Sequence, residues 1–261
     1  MTYVDAHLHV ADPGYAGRVE FIVQDAVRNS VSQLLSNAVD YETSVETVAL
    51  AKRHQGLILA AVGVHPSTAT KTEDCKLREF EKLLQENHKH VKAIGEIGLD
   101  GTYTQDLERK KRQREVFQFF LHLAERNELP VIIHSRSAVE DVLNVLPNFR
   151  LQRVLLHWFD GTSDQLKICG DRGYQISFGP ALLYSSRLQE LACLADINTV
   201  LTETDGPVRF RGPQFEGKIT MPSFVIHVAH KIAEIKSIST EDTQDAVWQN
   251  FKRLVPNSSE A

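Results

Sequence analysis

Eight short apolar segments alternate with helix-like segments along almost the whole chain. The predicted strands cover residues 3–9, 31–39, 57–62, 91–97, 129–133, 154–156, 174–178 and 199–202. Strands separated by helices form parallel sheets, and eight is the number of strands that closes a barrel. The pattern therefore predicts an α/β fold, a (β/α)₈ TIM barrel with its active site at the carboxyl-terminal mouth of the strands.

Helical spacing of apolar residues marks the connecting segments. The predicted helices cover residues 18–29, 44–54, 74–87, 107–127, 138–146, 163–169, 187–194, 222–235 and 240–254. We expect Ser44 to cap the second of these and Ser239 or Thr240 the last. An open doubly wound sheet is the alternative fold, but no Gly-x-Gly-x-x-Gly or Walker-type loop follows any strand. With 261 residues, 42% of them hydrophobic, we expect a single domain over residues 1–261.

Composition limits the cellular setting and the partners. The net charge of −5 and the pI near 6.1 disfavour a broadly basic nucleic-acid-binding surface, although they allow a local basic rim. Cys75, Cys169 and Cys193 form no Cys-x-x-Cys pair, which suits a reduced protein. The first strand starts at Tyr3, and no apolar run approaches membrane-spanning length. We expect a cytoplasmic protein without a membrane segment.

Residues of metal-binding type end five of the eight predicted strands. They are His7, His9, Glu96, His134, His157 and Asp205. Each has an ordinary explanation when taken alone, such as a surface histidine pair, a satisfied buried histidine or a turn carboxylate. In a barrel, however, the carboxyl ends of all strands face one mouth, so these six side chains are predicted to converge.

Four histidines and two carboxylates are too many for one tetrahedral ion. They suit two ions that share a carboxylate and keep positions open for water and substrate. Imidazole with carboxylate favours ions such as Zn²⁺ or Mn²⁺, whereas Mg²⁺ prefers sites richer in oxygen. We expect two divalent cations per chain, Mg²⁺, Mn²⁺ or Zn²⁺, and metal-assisted hydrolysis as the reaction class.

The assembled motifs resemble those of the TatD family of metal-dependent deoxyribonucleases, within the amidohydrolase-like barrels. They cover residues 5–9 (Asp-Ala-His-Leu-His), 63–66 (Gly-Val-His-Pro), 95–100 (Gly-Glu-Ile-Gly-Leu-Asp), 130–136 (Pro-Val-Ile-Ile-His-Ser-Arg), 157–161 (His-Trp-Phe-Asp-Gly) and 203–207 (Glu-Thr-Asp-Gly-Pro). The resemblance implies that His7, His9 and Asp205 hold one ion, that His134 and His157 hold the other, and that Glu96 bridges both.

The resemblance also implies a substrate, DNA, often cleaved from a single-stranded or 3′ end, and we expect the protein to act as a monomer. The chain departs from the family at several positions. The family usually has a small residue or Cys where Trp158 stands, an aromatic residue at Gly101, often Asp at Ser137, and Ala at Gly206. None of these departures falls on an expected ligand.

Further residues around the mouth are candidates for catalysis and substrate binding. His65 either contacts a phosphate or protonates the leaving oxygen, or it only shapes the turn before Pro66. We expect Glu203 to orient a ligand or water, and Asp205 to share in proton transfer. The candidate substrate contacts are Arg136, Arg209, Arg211 and Lys218 for phosphates, and Trp158 or Phe159 for a base, unless these aromatic rings only pack.

Two other functions stay open from the sequence. Activated water also attacks carbonyl carbon, so an ester or amide hydrolase, for example of a lactone or an aminoacyl-tRNA ester, is one alternative. Many barrels of that kind bridge their metals with a modified lysine on the fourth strand, where this chain has Glu96. The other alternative is a metal-stabilised binding protein without turnover.

Overall fold

The computed structural model describes residues 2–103 and 106–256. All eight predicted strands are present, and they form one parallel sheet whose strand order follows the chain. They are β1 (Tyr3–Leu8), β2 (Val31–Asn37), β3 (Ile58–Val62), β4 (Val91–Gly98), β5 (Val131–His134), β6 (Val154–Leu156), β7 (Gln175–Phe178) and β8 (Val200–Thr202). The predicted TIM barrel is confirmed.

Helices connect the strands and cover the outside of the sheet. They are α1 (Val19–Arg28), α2 (Tyr41–Arg53), α3 (Pro66–Ala69), α4 (Asp74–Asn87), α5 (Leu107–Asn127), α6 (Val139–Val145), α7 (Ser163–Asp171), α8 (Ser186–Leu194), α9 (Phe224–Lys236) and α10 (Thr240–Leu254). In the described part of the chain, none of these helices is both long and apolar enough to cross a bilayer.

Polar groups join the first and last strands of the barrel. Thr202 Oγ1 donates a hydrogen bond to the Val4 carbonyl at 2.8 Å. Beside it, the buried carboxylate of Asp5 accepts the backbone N–H of Thr204 at 2.9 Å and its hydroxyl at 2.5 Å. Burial raises the pKa of Asp5 well above its usual range, although these hydrogen bonds act in the opposite direction. The seam between β1 and β8 therefore depends on these side chains as well as on backbone hydrogen bonds from His9 to Gly206 and from Asp205 to His7.

Helix α10 closes the amino-terminal end of the barrel. Inside the barrel its apolar side chains pack against Val4, Ala6, Leu35, Ala61, Ala93, Ile132, Leu155 and Leu201. Asn250 Nδ2 donates to the carbonyls of Ile197 and Val200 where β8 begins, and the Asn250 carbonyl accepts from Gln175 at the start of β7. This helix therefore covers the end of the barrel opposite the mouth.

Helix α2 begins earlier than expected, and its predicted cap is wrong. Asp40, not Ser44, is the N-cap: its side chain accepts the Thr43 N–H at 2.8 Å in a capping box. Ser44 is already helical, and its hydroxyl donates to the Asp40 carbonyl at 2.7 Å. A carboxylate at the N-cap accepts backbone N–H groups of the first turn, as a hydroxyl would. Its negative charge also interacts favourably with the positive amino-terminal end of the helix dipole.

The contact between α10 and the barrel interior gives a direct test of stability. Phe251 is fully buried in that contact. We expect Phe251→Ala to lower the free energy of unfolding by about 3–5 kcal/mol, because it removes apolar contact and leaves a cavity. Urea unfolding followed by circular dichroism measures this.

Phe21→Ala is the matched control, since Phe21 on α1 is 64% exposed and its loss should change stability by no more than about 0.5 kcal/mol. Equal unfolding midpoints for Phe251→Ala and the unchanged chain would refute the role given to α10.

Candidate metal centre

The two histidines of the first strand meet at the mouth. His7 Nε2 and His9 Nε2 lie 3.2 Å apart. The pairing of β1 with β2 shifts register between Asp5 and Leu8, and such irregularities re-aim side chains near functional sites. His9 Nδ1 donates to the Asn37 carbonyl at 2.8 Å, so in the neutral ring the Nε2 lone pair faces its neighbours.

Asp205 completes this first group from the other side of the seam. Its Oδ1 lies 3.4 Å from His7 Nε2 and 3.2 Å from His9 Nε2. The backbone N–H of Asp205 donates to the His7 carbonyl at 2.8 Å. Asp205 has a left-handed φ of 50°, a conformation that Asp adopts more readily than most residues. The turn after β8 therefore holds the carboxylate against the histidine pair.

Glu96 faces two groups of donors at once. Its Oε2 lies 3.4 Å from both His7 Nε2 and His9 Nε2. Its Oε1 lies 2.8 Å from both His134 Nδ1 and His157 Nε2. The pairing of β4 with β5 shifts register between Ile94 and Ile97, immediately around this residue. The two oxygens of one buried carboxylate thus point toward separate clusters.

The second cluster gathers around Glu96 Oε1. His134 Nδ1 is 3.4 Å from His157 Nε2 and 3.3 Å from His65 Nε2. On the opposite side of its ring, His134 Nε2 donates to Asp100 Oδ2 at 2.7 Å. That hydrogen bond orients the ring and leaves Nδ1 for the centre, as is usual for histidines that bind metals.

These donor atoms fit divalent cations. Ligands at 2.0–2.1 Å from an ion lie about 3.0–3.4 Å from one another in octahedral or tetrahedral arrangements, and most of the donor separations in both clusters fall in that range. The groups of described residues that could hold an ion are His7 with His157 and Asp205, His7 with His9 and Glu96, and His65 with Glu96 and His134. The cluster can therefore bind metal, as the sequence predicts.

His65 differs from His9 and His134 in that the nitrogen facing the centre carries the proton of the neutral ring. Its Nδ1 accepts the backbone N–H of Ser67 at 3.2 Å and lies 2.7 Å from the Ser67 hydroxyl. This pattern assigns the proton of the neutral ring to Nε2, the atom that lies 3.4 Å from Glu96 Oε1. His65 therefore presents an N–H to the centre, where His9 and His134 present a lone pair.

Opposite charges at the centre offset the cost of burying each charged side chain. Burial alone would raise the pKa of Glu96, but the positive charges of His65, His157 and His7 hold it well below its usual range. Burial likewise opposes the charged form of His9, yet the hydrogen bond to Asp205 and the charges of Glu96 and Asp205 raise the pKa of His9 to about 9. A cation that binds to these carboxylates and imidazoles takes the place of the imidazole protons.

A further carboxylate lies beneath the ring of His157. Glu203 is fully buried, its Oε2 accepts the Ser177 hydroxyl at 2.5 Å, and the same oxygen is 3.7 Å from His157 Nδ1. His157 stacks on His7 with the ring centroids 3.7 Å apart. Among the described residues, Glu203 Oε1 and the Nδ1 atoms of both rings have no hydrogen-bond partner. Glu203 thus lies beside the ring of a candidate ligand, and its expected role in orienting that ring stays a prediction.

The centre has a closed side and an open side. The side chains of His7, His157, Glu96 and Glu203 are at most 4% exposed. The open side is formed by side chains that are 11–13% exposed, namely His9, His65, His134 and Asp205. A substrate therefore reaches the centre over the second group.

The candidate substrate contacts lie farther out. Arg136, Arg209 and Arg211 are exposed on the loops that follow β5 and β8, and so is Lys218. Trp158 is partly buried, with its ring 5.6 Å from that of Phe210. Phe159 is fully buried, so its role is packing and the idea that it stacks a base is wrong.

Sequence reasoning missed two residues beside the centre. Asp100 binds His134, and its position two residues after the end of strand β4 could have revealed it. Burial opposes its charged form, but hydrogen bonds from His134 and Thr102 lower the pKa of Asp100 to about 2. Tyr103 lies 5.8 Å from His65 between ring centroids. No spacing rule pointed to it.

Comparisons with known proteins agree with this geometry. A family model described as TatD related DNase matches residues 4–256. The metal-dependent hydrolase YabD of Bacillus subtilis is 31% identical, with 96% of this chain and 97% of that protein covered. The human deoxyribonuclease TATDN3 is also 31% identical, with 97% of this chain and 94% of that protein covered. The structure of the TatD homologue YjjV from Escherichia coli superimposes with a TM-score of 0.90 at 28% identity over 98% of both chains.

The turn that holds Asp205 predicts a coupled pair of substitutions. A Cβ at residue 206 would fall on the hydroxyl of Tyr15, which donates to the Thr220 carbonyl at 2.6 Å. We expect Gly206→Ala to destabilise the protein by about 1–3 kcal/mol through overpacking. Tyr15→Phe should cost about 1 kcal/mol for the lost hydrogen bond, while it opens the space for the methyl group.

The double variant should then be more stable than the sum of the two single changes implies, by at least about 0.5 kcal/mol. Urea unfolding of all four proteins measures the coupling. Strictly additive losses would show that the Tyr15 hydroxyl does not exclude a side chain at residue 206.

Proposed function

Because the chain belongs to the TatD family of metal-dependent hydrolases, we propose that it hydrolyses phosphodiester bonds in DNA. One observation carries the proposal: the two oxygens of Glu96 face two separate groups of donors. A carboxylate in that position is suited to bridge two cations, the arrangement that serves displacement at phosphorus.

The donor groups suggest how the ions are divided. His7, His9 and Asp205 would hold one, His134 and His157 the other, and Glu96 both. When bound, such a pair of cations acidifies water and offsets the negative charge that grows on phosphate oxygens. The four imidazoles favour Zn²⁺ or Mn²⁺ over Mg²⁺.

His65 and Asp205 are the proposed proton-handling and phosphate-contacting groups. Both belong to the open side of the centre, where a substrate would lie. The N–H that His65 carries on Nε2 suits a hydrogen bond to a phosphate oxygen or to the leaving oxygen, so we assign His65 to the substrate and not to a cation. Asp205 is suited to accept a proton from the attacking water. Glu203 would act through His157, whose ring it supports.

DNA is the proposed substrate because exposed arginines at the mouth give this acidic protein a local basic surface that can bind phosphates. The net charge is −5, yet Arg136, Arg209 and Arg211 are exposed on loops at the mouth. The relative TATDN3 carries the name deoxyribonuclease. Glu96 is only 2% exposed, and a recessed centre is reached more easily by a single strand or a strand end than by the middle of a duplex. Trp158 is a further candidate contact with a base.

We also propose that the chain acts in the cytoplasm as a monomer with one domain. The three cysteines are free, which suits a reducing compartment.

Cleavage of a labelled strand tests the proposed reaction. A 3′-labelled single-stranded DNA is incubated with Mg²⁺, Mn²⁺ or Zn²⁺, and the products are resolved on a gel. We expect product that a chelator abolishes. Glu96→Ala should lose at least about 99% of the activity, because both ions would lose the carboxylate that they share.

His122→Ala is the matched control, since His122 is exposed on α5 away from the mouth. A parallel panel of aryl esters and lactones is run with the same proteins. Metal-dependent turnover of esters with no cleavage of DNA would overturn the proposal in favour of the ester hydrolase alternative.

A further inference from the structure

The loop that follows β4, residues 99–103, is held tightly against the loop that follows β5. The Gly101 N–H donates to the Arg136 carbonyl at 3.0 Å. A Cβ on Gly101 would lie 2.5 Å from the Ser137 carbonyl oxygen, so only glycine allows this approach. The aromatic residue that the TatD family usually has at position 101 does not fit here, and the next aromatic side chain is that of Tyr103.

Asp100 connects this loop to the metal centre. Its Oδ1 accepts the Thr102 N–H at 2.6 Å and the Thr102 hydroxyl at 2.5 Å, while its Oδ2 accepts His134 Nε2 at 2.7 Å. One carboxylate, itself 2% exposed, therefore fixes both a candidate metal ligand and the residue that precedes Tyr103. This pair of contacts ties the backbone that carries Tyr103 to the metal centre.

Tyr103 lies on the open side of the centre with much of its surface free. It is 50% exposed, and its ring meets that of His65 nearly at right angles, at 81°. Burial raises the pKa of its hydroxyl, the charges of Asp100 and Glu96 raise it further, and Arg136 lowers it. The ring thus lies beside His65 at the open side of the centre, on a loop whose backbone is hydrogen-bonded to the exposed residue Arg136.

We propose that Tyr103 and Arg136 form a nucleotide subsite at the rim, in which the Tyr103 ring stacks on a nucleobase and Arg136 contacts a phosphate next to the one being cleaved. The subsite rests on the proposed phosphodiesterase function. It specifies which parts of the substrate are recognised beside the reacting phosphate, namely a nucleobase and a neighbouring phosphate. Aromatic stacking accepts any base, because every base has a flat π face. The substrate class is therefore a single strand whose terminal base is unpaired and free to stack, with little preference for sequence.

Two short substrates separate recognition of the base from recognition of the phosphate. One is a single-stranded tetramer of deoxyadenosine, and the other is the same backbone with every base absent. Metal-loaded Tyr103→Ala should raise KM for the first by about fivefold or more, with kcat within about twofold and no change for the second. Tyr103→Phe should behave like the unchanged chain, because stacking needs the ring and not the hydroxyl.

Two further variants serve as comparisons. Arg136→Gln should weaken both substrates alike, since both have phosphates. Phe21→Ala, which removes an exposed ring on α1, should change neither. Equal effects of Tyr103→Ala on both substrates, or none on either, would overturn the subsite, because a merely structural role of the loop does not distinguish a base from its absence.

Failure of the proposed function gives a different result. In that case the unchanged protein cleaves neither strand under any metal condition. Fluorescence anisotropy of the two labelled strands then decides the subsite by the same comparison: affinity for the strand with bases that falls in Tyr103→Ala and is kept in Tyr103→Phe supports it, and affinity indifferent to Tyr103 overturns it.

Discussion

The carboxylate of Glu96 is the point on which the rest of the centre depends. An ionised carboxylate buried in a barrel is costly unless it is paired and hydrogen-bonded. Here five imidazoles surround it. Those of His7 and His9 lie 3.4 Å from one oxygen, those of His134 and His157 lie 2.8 Å from the other, and that of His65 lies 3.4 Å from this second oxygen. Those imidazoles lie at or shortly beyond the carboxyl ends of β1, β3, β5 and β6, so the cost of burying this one charge is offset only when these distant strands are assembled.

The barrel serves this arrangement by separating its two ends. Apolar side chains fill the lower interior, and α10 covers it. Ionisable side chains collect at the other end, supported from below by the buried carboxylates of Asp5 and Glu203. Register shifts in β1 and β4 occur at the residues that turn His7 and Glu96 toward the mouth. Two of the register shifts in the sheet thus occur where the site needs them, and the others lie between Tyr3 and Val4 and between Ala60 and Ala61.

The sequence could predict the centre because its ligands sit at the ends of strands, and strand order determines where those ends meet. Six predicted ligands do converge, and Glu203 lies where it can support His157. The role of His65 could not be predicted, because it depends on which ring nitrogen bonds to the backbone of Ser67. The fit of Gly206 against Tyr15 joins positions 191 residues apart in the numbering, and no local pattern encodes it.

The rim shows where this chain differs from the pattern that it resembles. Gly101 approaches Ser137, Gly206 leaves room for Tyr15, and Trp158 packs toward Phe210. All these changes lie around the centre and leave its donors in place. Reaction chemistry is therefore tied to the strand ends, whereas the choice of substrate is open to change in the loops.

The central claim is that Glu96 bridges two cations, and anomalous X-ray diffraction from crystals loaded with Mn²⁺ tests it most directly. We expect two anomalous peaks about 3.5–4 Å apart, one beside each oxygen of Glu96. A single peak, or two peaks of which neither contacts Glu96, would contradict the account.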